Sequence, residues 1–178
     1  RLKAPEERNP SIMAADTMFQ VARLVGDTLK EVIRTQGDGG PESESPFGAT
    51  LIVGGQIAGM EPRLFLVYPE GNFIEASDET PFFQIGETKY GRPILLRAFS
   101  PEMTFEEAVK LLYVSFDSTL KANLSVGMPL DLQTIETDTC KVADKRRVEE
   151  NDPYFTTISS RWGDALKLAF NSLPDYEF

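Results

Sequence analysis

An α+β fold, with helices packed on the faces of antiparallel sheets, is the architecture this sequence predicts. Three observations lead there. Hydrophobic periods follow one another as helix, three or four strands, two helices, two strands, helix, without the regular strand–helix alternation of a parallel sheet. A Pro69-Glu70-Gly71 turn joins two apolar runs closely enough to make them antiparallel neighbours. The chain has 178 residues, 41% of them apolar and 26% charged, a length that buries roughly 70% of the unfolded surface around one core. No internal repeat is visible, and a single domain over residues 1–178 is expected.

Residues 1–15 mix charge with Pro5 and Pro10 and read as a loop or a frayed connection. Thr17 then precedes Met18, Ala22, Val25, Leu29 and Val32 or Ile33, recurring every three or four residues, and Gln20 stands where a capping box places its reciprocal partner. Asp16 is the competing N-cap. This helix should end near Gln36, and the glycine- and proline-rich segment 37–46 is expected to be a flexible surface loop.

From Phe47 the period changes. Residues 49–57, ATLIVGGQI, form a nearly continuous apolar run, which predicts a central strand covered on both faces. Gly54 and Gly55 suggest a bulge or a close approach within it. RLFLVY and NFIEA flank the turn, where Pro69 fits the first central position and Gly71 the left-handed one, predicting a hairpin with a G1 bulge. Residues 81–85, PFFQI, look like a further strand ending at Gly86, and 87–96 a short helix despite Gly91 and Pro93.

Thr104 with Glu107 repeats the capping-box signature, and Phe105, Ala108, Val109, Leu112, Phe116 and Leu120 trace the stripe a helix would bury. Residues 128–136 read as a strand and 140–142 as a short partner, with the charged stretch 144–150 as a solvated face or loop. Phe155, Ile158, Trp162, Leu166, Ala169 and Phe170 share one face of a last helix, with Trp162 in the core or at a subunit interface.

Composition narrows the chemistry. Against 18 basic residues stand 28 acidic ones, and the net charge of −10 repels phosphate backbones and anionic headgroups, so neither nucleic acid nor membrane is an expected partner. With no apolar run of spanning length, no leader in this stretch and Cys140 as the only cysteine, a cytoplasmic location is expected. The absence of histidine eliminates Ser-His and Cys-His nucleophile pairs, and any hydrolase here works without imidazole. Gly54-Gly55 lacks dinucleotide-fingerprint spacing and no phosphate-binding loop occurs, so no cofactor is expected. Glu75, Asp78 and Glu79 read as loop solvation rather than a metal site. Ser125 could project into a cleft or simply cap its own turn.

The block 54–95, with the phrases NFIEA and QIGETKYG, and the stretch SFDSTLKANLSVGMPLDL resemble the bacterial ancestral beta subunits known as Anbu, proteasome-like members of the N-terminal nucleophile hydrolases. The resemblance runs from the first helix through Leu132. It implies a four-layer αββα sandwich, with the helices from Thr17 and from Thr104 in opposite outer layers. It also implies that these residues are the C-terminal portion of a longer subunit, incomplete at its N-terminal end. The family nucleophile is an N-terminal threonine whose own α-amine takes the proton from its hydroxyl, a scheme that dispenses with histidine. That residue is expected upstream of Arg1.

Carried onto this chain, the resemblance places supporting site residues at a strand-to-helix turn and in the loop that follows the helix from Thr104. Gly86 falls on the glycine of a strand-to-helix turn, where proteasome subunits continue with serine and this chain has Glu87, set beside the threonine amine or facing solvent or an interface. A carboxylate beside the amine would raise its pKa. Ser125 matches the later serine that helps hold the amine. Three residues earlier the family aspartate is replaced by Ala122, leaving Asn123 as the nearest polar neighbour. Ser125 and Glu87 are thus the expected catalytic support, Gly86 and Asn123 the expected substrate-side positions. The implied activity is hydrolysis of peptide amide bonds; the alternative is a weakly active or inactive scaffold or ligand-binding subunit. The implied partners are peptide or unfolded protein and further copies of the chain in a ring, open ring or helical assembly.

Overall fold

A computed structural model describes residues 11–37 and 48–178. Apart from Gly37, the loop expected over 37–46 lies outside the described residues, as do the first ten residues. The elements are α1 (Met18–Gly37), β1 (Leu51–Gly55), β2 (Arg63–Val67), β3 (Phe73–Glu75), α2 (Arg92–Ala98), α3 (Phe105–Ala122), β4 (Leu130–Ile135), β5 (Val142–Val148) and α4 (Pro153–Asn171), in the order the hydrophobic periods predict. They fall into two compact units, one running to Ile85 and including Ile135–Ala143, the other comprising Gly86–Thr134 and Asp144–Phe178.

In the first unit α1 begins where Thr17 Oγ1 accepts a hydrogen bond from the Gln20 N–H at 3.2 Å, while Gln20 Oε1 accepts from the Asp16 N–H at 2.8 Å. The capping exchange is therefore present but reaches one residue further back than a standard box. The antiparallel sheet β1-β2-β3 sets Val53 opposite Phe65 and Val67 opposite Phe73. Met18 and Ala22 of α1 pack on Phe65, with Val21, Val53, Ile57 and Phe73 around them. Phe73 meets Phe65 and Phe19 edge-on at 5.6 and 5.2 Å.

The hairpin follows its sequence signature. The Gly71 N–H donates to Tyr68 O and the Tyr68 N–H to Asn72 O, both at 2.9 Å, with Gly71 at φ +85°. This turn also meets the helix closely: a Cβ on Gly26 would lie 2.2 Å from Gly71 O. Only a residue without a side chain at 26 lets α1 settle this close.

Three expectations about strands change. Among the described residues β1 pairs on one side only, and Leu51 and Ile52 are 36% and 39% exposed rather than buried in a central strand. A continuous apolar run shows that both faces suit burial, but not what stands beside them. Gly54 and Gly55 hold regular register with Leu64 and Arg63, without a bulge, and instead lie against the Leu64 and Met18 side chains. Residues 81–85 join no ladder. Pro81 offers no N–H, and the chain turns at Gly86 with φ +77°.

In the second unit α2 starts at Arg92, later than expected, because Pro93 is tolerated only in a first helical turn. The Thr104–Glu107 capping box of α3 forms in both directions, at 3.1 and 3.2 Å. Its buried faces differ from the predicted stripe. Leu111, Ser115 and Thr119 are buried on one side and Tyr113 and Asp117 on the other, while Phe105, Leu112 and Phe116 are exposed. α3 packs between α2 and α4, so its neighbours decide which positions lose water. Two of the buried polar side chains are paired: Thr119 Oγ1 donates to Ser115 O at 3.0 Å, and Asp117 Oδ2 accepts from Lys121 Nζ at 3.1 Å, which also reaches Ser159 Oγ of α4 at 2.9 Å. The Tyr113 hydroxyl and the Trp162 indole N–H, by contrast, are buried without a hydrogen-bond partner among the described residues.

Tyr113, Val148 and Phe155 form this unit's core with Leu130, Leu132 and Ile158 against it. Burial also pushes the Tyr113 phenol above its ordinary pKa. β4 alternates as a half-buried strand, and its partner β5 is longer than the segment 140–142 expected. The charged residues from Asp144 to Arg147 are solvated as predicted, yet they lie in a strand. α4 is capped by Asp152, whose Oδ1 accepts from the Phe155 N–H at 2.9 Å while Oδ2 pairs with Arg146 at 2.6 Å. Phe155 is buried and Trp162 half-buried, but Leu166 and Phe170 of the expected stripe are exposed.

Two measurements probe these contacts. Alanine in place of glycine inside a helix ordinarily gains about 1 kcal/mol. At Gly26 the clash should reverse the sign, and Gly26→Ala is expected to lower urea stability by about 1–3 kcal/mol; stability equal to the parent would refute the contact. The Phe155 N–H and then the Arg146 guanidinium hold the Asp152 carboxyl below its ordinary 3.8. A depressed folded-state pKa stabilises the fold above the unfolded value, and that contribution disappears as pH falls through the folded one. Asp152→Asn, which keeps an N-cap acceptor, is therefore expected to flatten the loss of stability from about pH 4 downward, read from urea midpoints across pH.

Candidate functional site

The residues singled out in the sequence meet at the C-terminal end of α3. Asn123 is the C-cap of that helix, its N–H donating to Thr119 O at 2.9 Å. Asn123 Oδ1 then accepts from both the Ser125 N–H and the Ser125 hydroxyl, each at 2.8 Å. On its other side Asn123 Nδ2 donates to Glu87 Oε2 at 2.7 Å, and Glu87 Oε1 accepts from the Lys89 N–H at 2.8 Å. Glu87, Asn123 and Ser125 are thus one hydrogen-bonded chain, with Gly86 immediately beside it.

Gly86 serves this arrangement through its backbone rather than through a close contact. Its φ of +77° favours glycine, whereas a Cβ there would meet nothing within 4 Å among the described residues. The close approach is at Gly91, which sequence reasoning passed over. A Cβ on Gly91 would lie 2.3 Å from Ser115 Oγ and 3.0 Å from both Ser115 O and Thr119 Oγ1. That contact seats the start of α2 on α3 and brings the preceding segment, with Glu87, alongside the end of α3. The signal available in the sequence is a glycine directly before the Arg-Pro that opens a helix.

Ser125 is exposed, Glu87 and Asn123 half-buried. The Ser125 proton is held by an amide oxygen, which is no base, so this hydroxyl is not set up as a nucleophile. Glu75, part of the loose acidic cluster, pairs with Arg63 at 2.6 Å. Among the described residues no group of three or more cysteine, aspartate or glutamate side chains is placed to hold a metal ion, and no helix is long and apolar enough to cross a membrane. A cavity of about 470 Å³ in the first unit, lined by Met18, Phe19, Met60, Arg63, Phe65 and Glu75 among others, includes none of the predicted site residues.

The family described as "Proteasome subunit" matches residues 33–135. An Anbu structure from Hyphomicrobium sp. strain MC1 is 46% identical with a TM-score of 0.87, the match covering 99% of this chain and 71% of that one. Anbu, the ancestral beta-subunit, from Yersinia bercovieri is 41% identical at a TM-score of 0.87, over 98% of this chain and 71% of that one. The chain belongs to the Anbu group of the proteasome subunit family. A third Anbu structure, a helical assembly of the complex from Pseudomonas aeruginosa, is 38% identical at a TM-score of 0.86 and covers 94% of this chain and 69% of that one. No curated protein sequence matches. The fold is accordingly the proteasome-like fold of Anbu, with the α+β content the sequence predicts.

Proposed function

We propose that the chain is the supporting part of a threonine-type peptidase subunit, a single-domain portion whose nucleophile lies outside this sequence. The observation that carries the reading is the chain of hydrogen bonds from Glu87 through Asn123 to Ser125 beside Gly86, in a member of the Anbu group. In this scheme a threonine Oγ attacks the peptide carbonyl carbon while the threonine α-amine accepts the hydroxyl proton. The C–N bond then breaks, the departing amine takes that proton, and water hydrolyses the acyl-threonine ester. Ser125 and Glu87 hold and polarise the amine, while Gly86 and Asn123 shape its surroundings. A scaffold with little or no turnover is the second reading, favoured by Glu87 and Ala122 standing where proteasome subunits carry serine and aspartate.

The test is covalent labelling of the full-length protein by a peptide vinyl sulfone, followed by intact mass. One adduct at an N-terminal threonine is expected; none, where a proteasome control labels, would leave the scaffold reading. Self-association is part of the proposal, supported by the Pseudomonas aeruginosa assembly and by Leu166, Phe170 and Leu173 exposed along one side of α4 and its end. Leu166→Glu with Phe170→Glu should shift the mass distribution of the full-length protein toward smaller species in mass photometry; an unchanged distribution would exclude this face. A cytoplasmic location, without nucleic-acid or membrane partners, accords with the net charge of −10.

A further inference from the structure

The direction of every hydrogen bond in the Glu87–Asn123–Ser125 chain can be assigned. The Ser125 backbone N–H only donates, so the Asn123 atom facing it at 2.8 Å is the acceptor Oδ1. The Glu87 carboxylate oxygen at 2.7 Å accepts, so the Asn123 atom facing it is the donor Nδ2. Both ends demand the same amide orientation, and the flip that is ordinarily ambiguous is determined. With Oδ1 toward Ser125, the serine hydroxyl has one role left within the chain. It donates to Oδ1 at 2.8 Å and presents its lone pairs outward from an exposed side chain.

We propose that Asn123 is the positioning residue of this site, orienting Ser125 Oγ as an outward-facing acceptor for an N–H donor, which under the function proposed above is an amine. An acceptor-only hydroxyl favours an N–H donor and disfavours a carbonyl or phosphate oxygen. Asn123 thereby acts on the ligand through Ser125 and touches no reacting atom. The identity of the amine as the α-amine of an N-terminal nucleophile rests on the function proposed above; the polarity of Ser125 does not.

The experiment compares full-length wild type with Asn123→Ala, Ser125→Ala and the double variant. Rates of labelling by the peptide vinyl sulfone are followed across pH, alongside hydrogen exchange at the Ser125 amide. An acceptor toward an ammonium stabilises its protonated form, so loss of orientation lowers the amine pKa. Asn123→Ala is expected to slow labelling about five- to tenfold, on the scale of one hydrogen bond, and to move its pH midpoint downward. The double variant should label no more slowly than Ser125→Ala alone, because Asn123 works through that residue. Multiplying effects, or an unshifted midpoint, would overturn the assignment. Exchange at the Ser125 amide should accelerate at least tenfold in Asn123→Ala. If wild type does not label but exchange responds in this way, the peptidase reading fails and the positioning role stands. If exchange is unchanged, the positioning role fails whatever the labelling shows.

Discussion

The contact between Gly91 and the Ser115–Thr119 turn of α3 governs the geometry of the candidate site. A methyl group at 91 would sit inside Ser115 Oγ, so the absence of a side chain lets the start of α2 rest directly on the helix surface. The position has consequences at both ends. One turn further along α3 lies Asn123, the C-cap, and a few residues before Gly91 lies Glu87, which reaches that cap at 2.7 Å. The polar side of α3 facing α2 follows from the same constraint, since small hydroxyl residues at 115 and 119 leave room that a leucine would fill. Thr119 turns its hydroxyl back onto the helix carbonyl, which satisfies its own buried donor.

Electrostatics in the second unit repeat one device. Carboxylates sit at helix ends or between helices and take their partners from backbone N–H groups as well as from cations. Asp152 accepts from the first turn of α4 and pairs with Arg146 of β5, tying strand to helix. Asp117 is almost wholly buried and meets Lys121, which spans to Ser159. Glu87 accepts from a backbone N–H and from Asn123. Asp152 and Glu87 are each oriented by a backbone N–H whose position the fold sets, whereas Asp117 takes its partner from the Lys121 side chain. This matters most at Glu87, because its direction propagates through an amide to the Ser125 hydroxyl. A chain that contains no histidine can in this way still present a directional acceptor without a titrating imidazole.

Where the sequence was legible, the information was local or periodic. The Thr104–Glu107 box, the Pro69-Glu70-Gly71 hairpin and the start of α1 each depend on atoms within five residues; the first two formed with the expected partners, and at α1 Thr17 capped as expected while Gln20 reached Asp16 rather than Thr17. Order and type of the elements were equally readable, and the phrases from NFIEA to NLSVG carried the family. Burial was less so. The α3 stripe of Phe105, Leu112 and Phe116 is apolar and exposed, while Ser115, Asp117 and Thr119 are buried, because α2 and α4 rather than hydrophobicity select the covered faces.

The sequence by itself determined the α+β order, the caps and turns and the absence of histidine from these 178 residues. Only the tertiary structure decided that Glu87 and Asn123, separated by 36 positions, share a hydrogen bond, and that Gly91 rather than Gly86 supplies the close approach. The physical reason is reach. A cap or a turn closes over a few bonds and is written in adjacent letters, whereas the amide of Asn123 finds its carboxylate only after two helices have packed to the depth that one missing side chain allows.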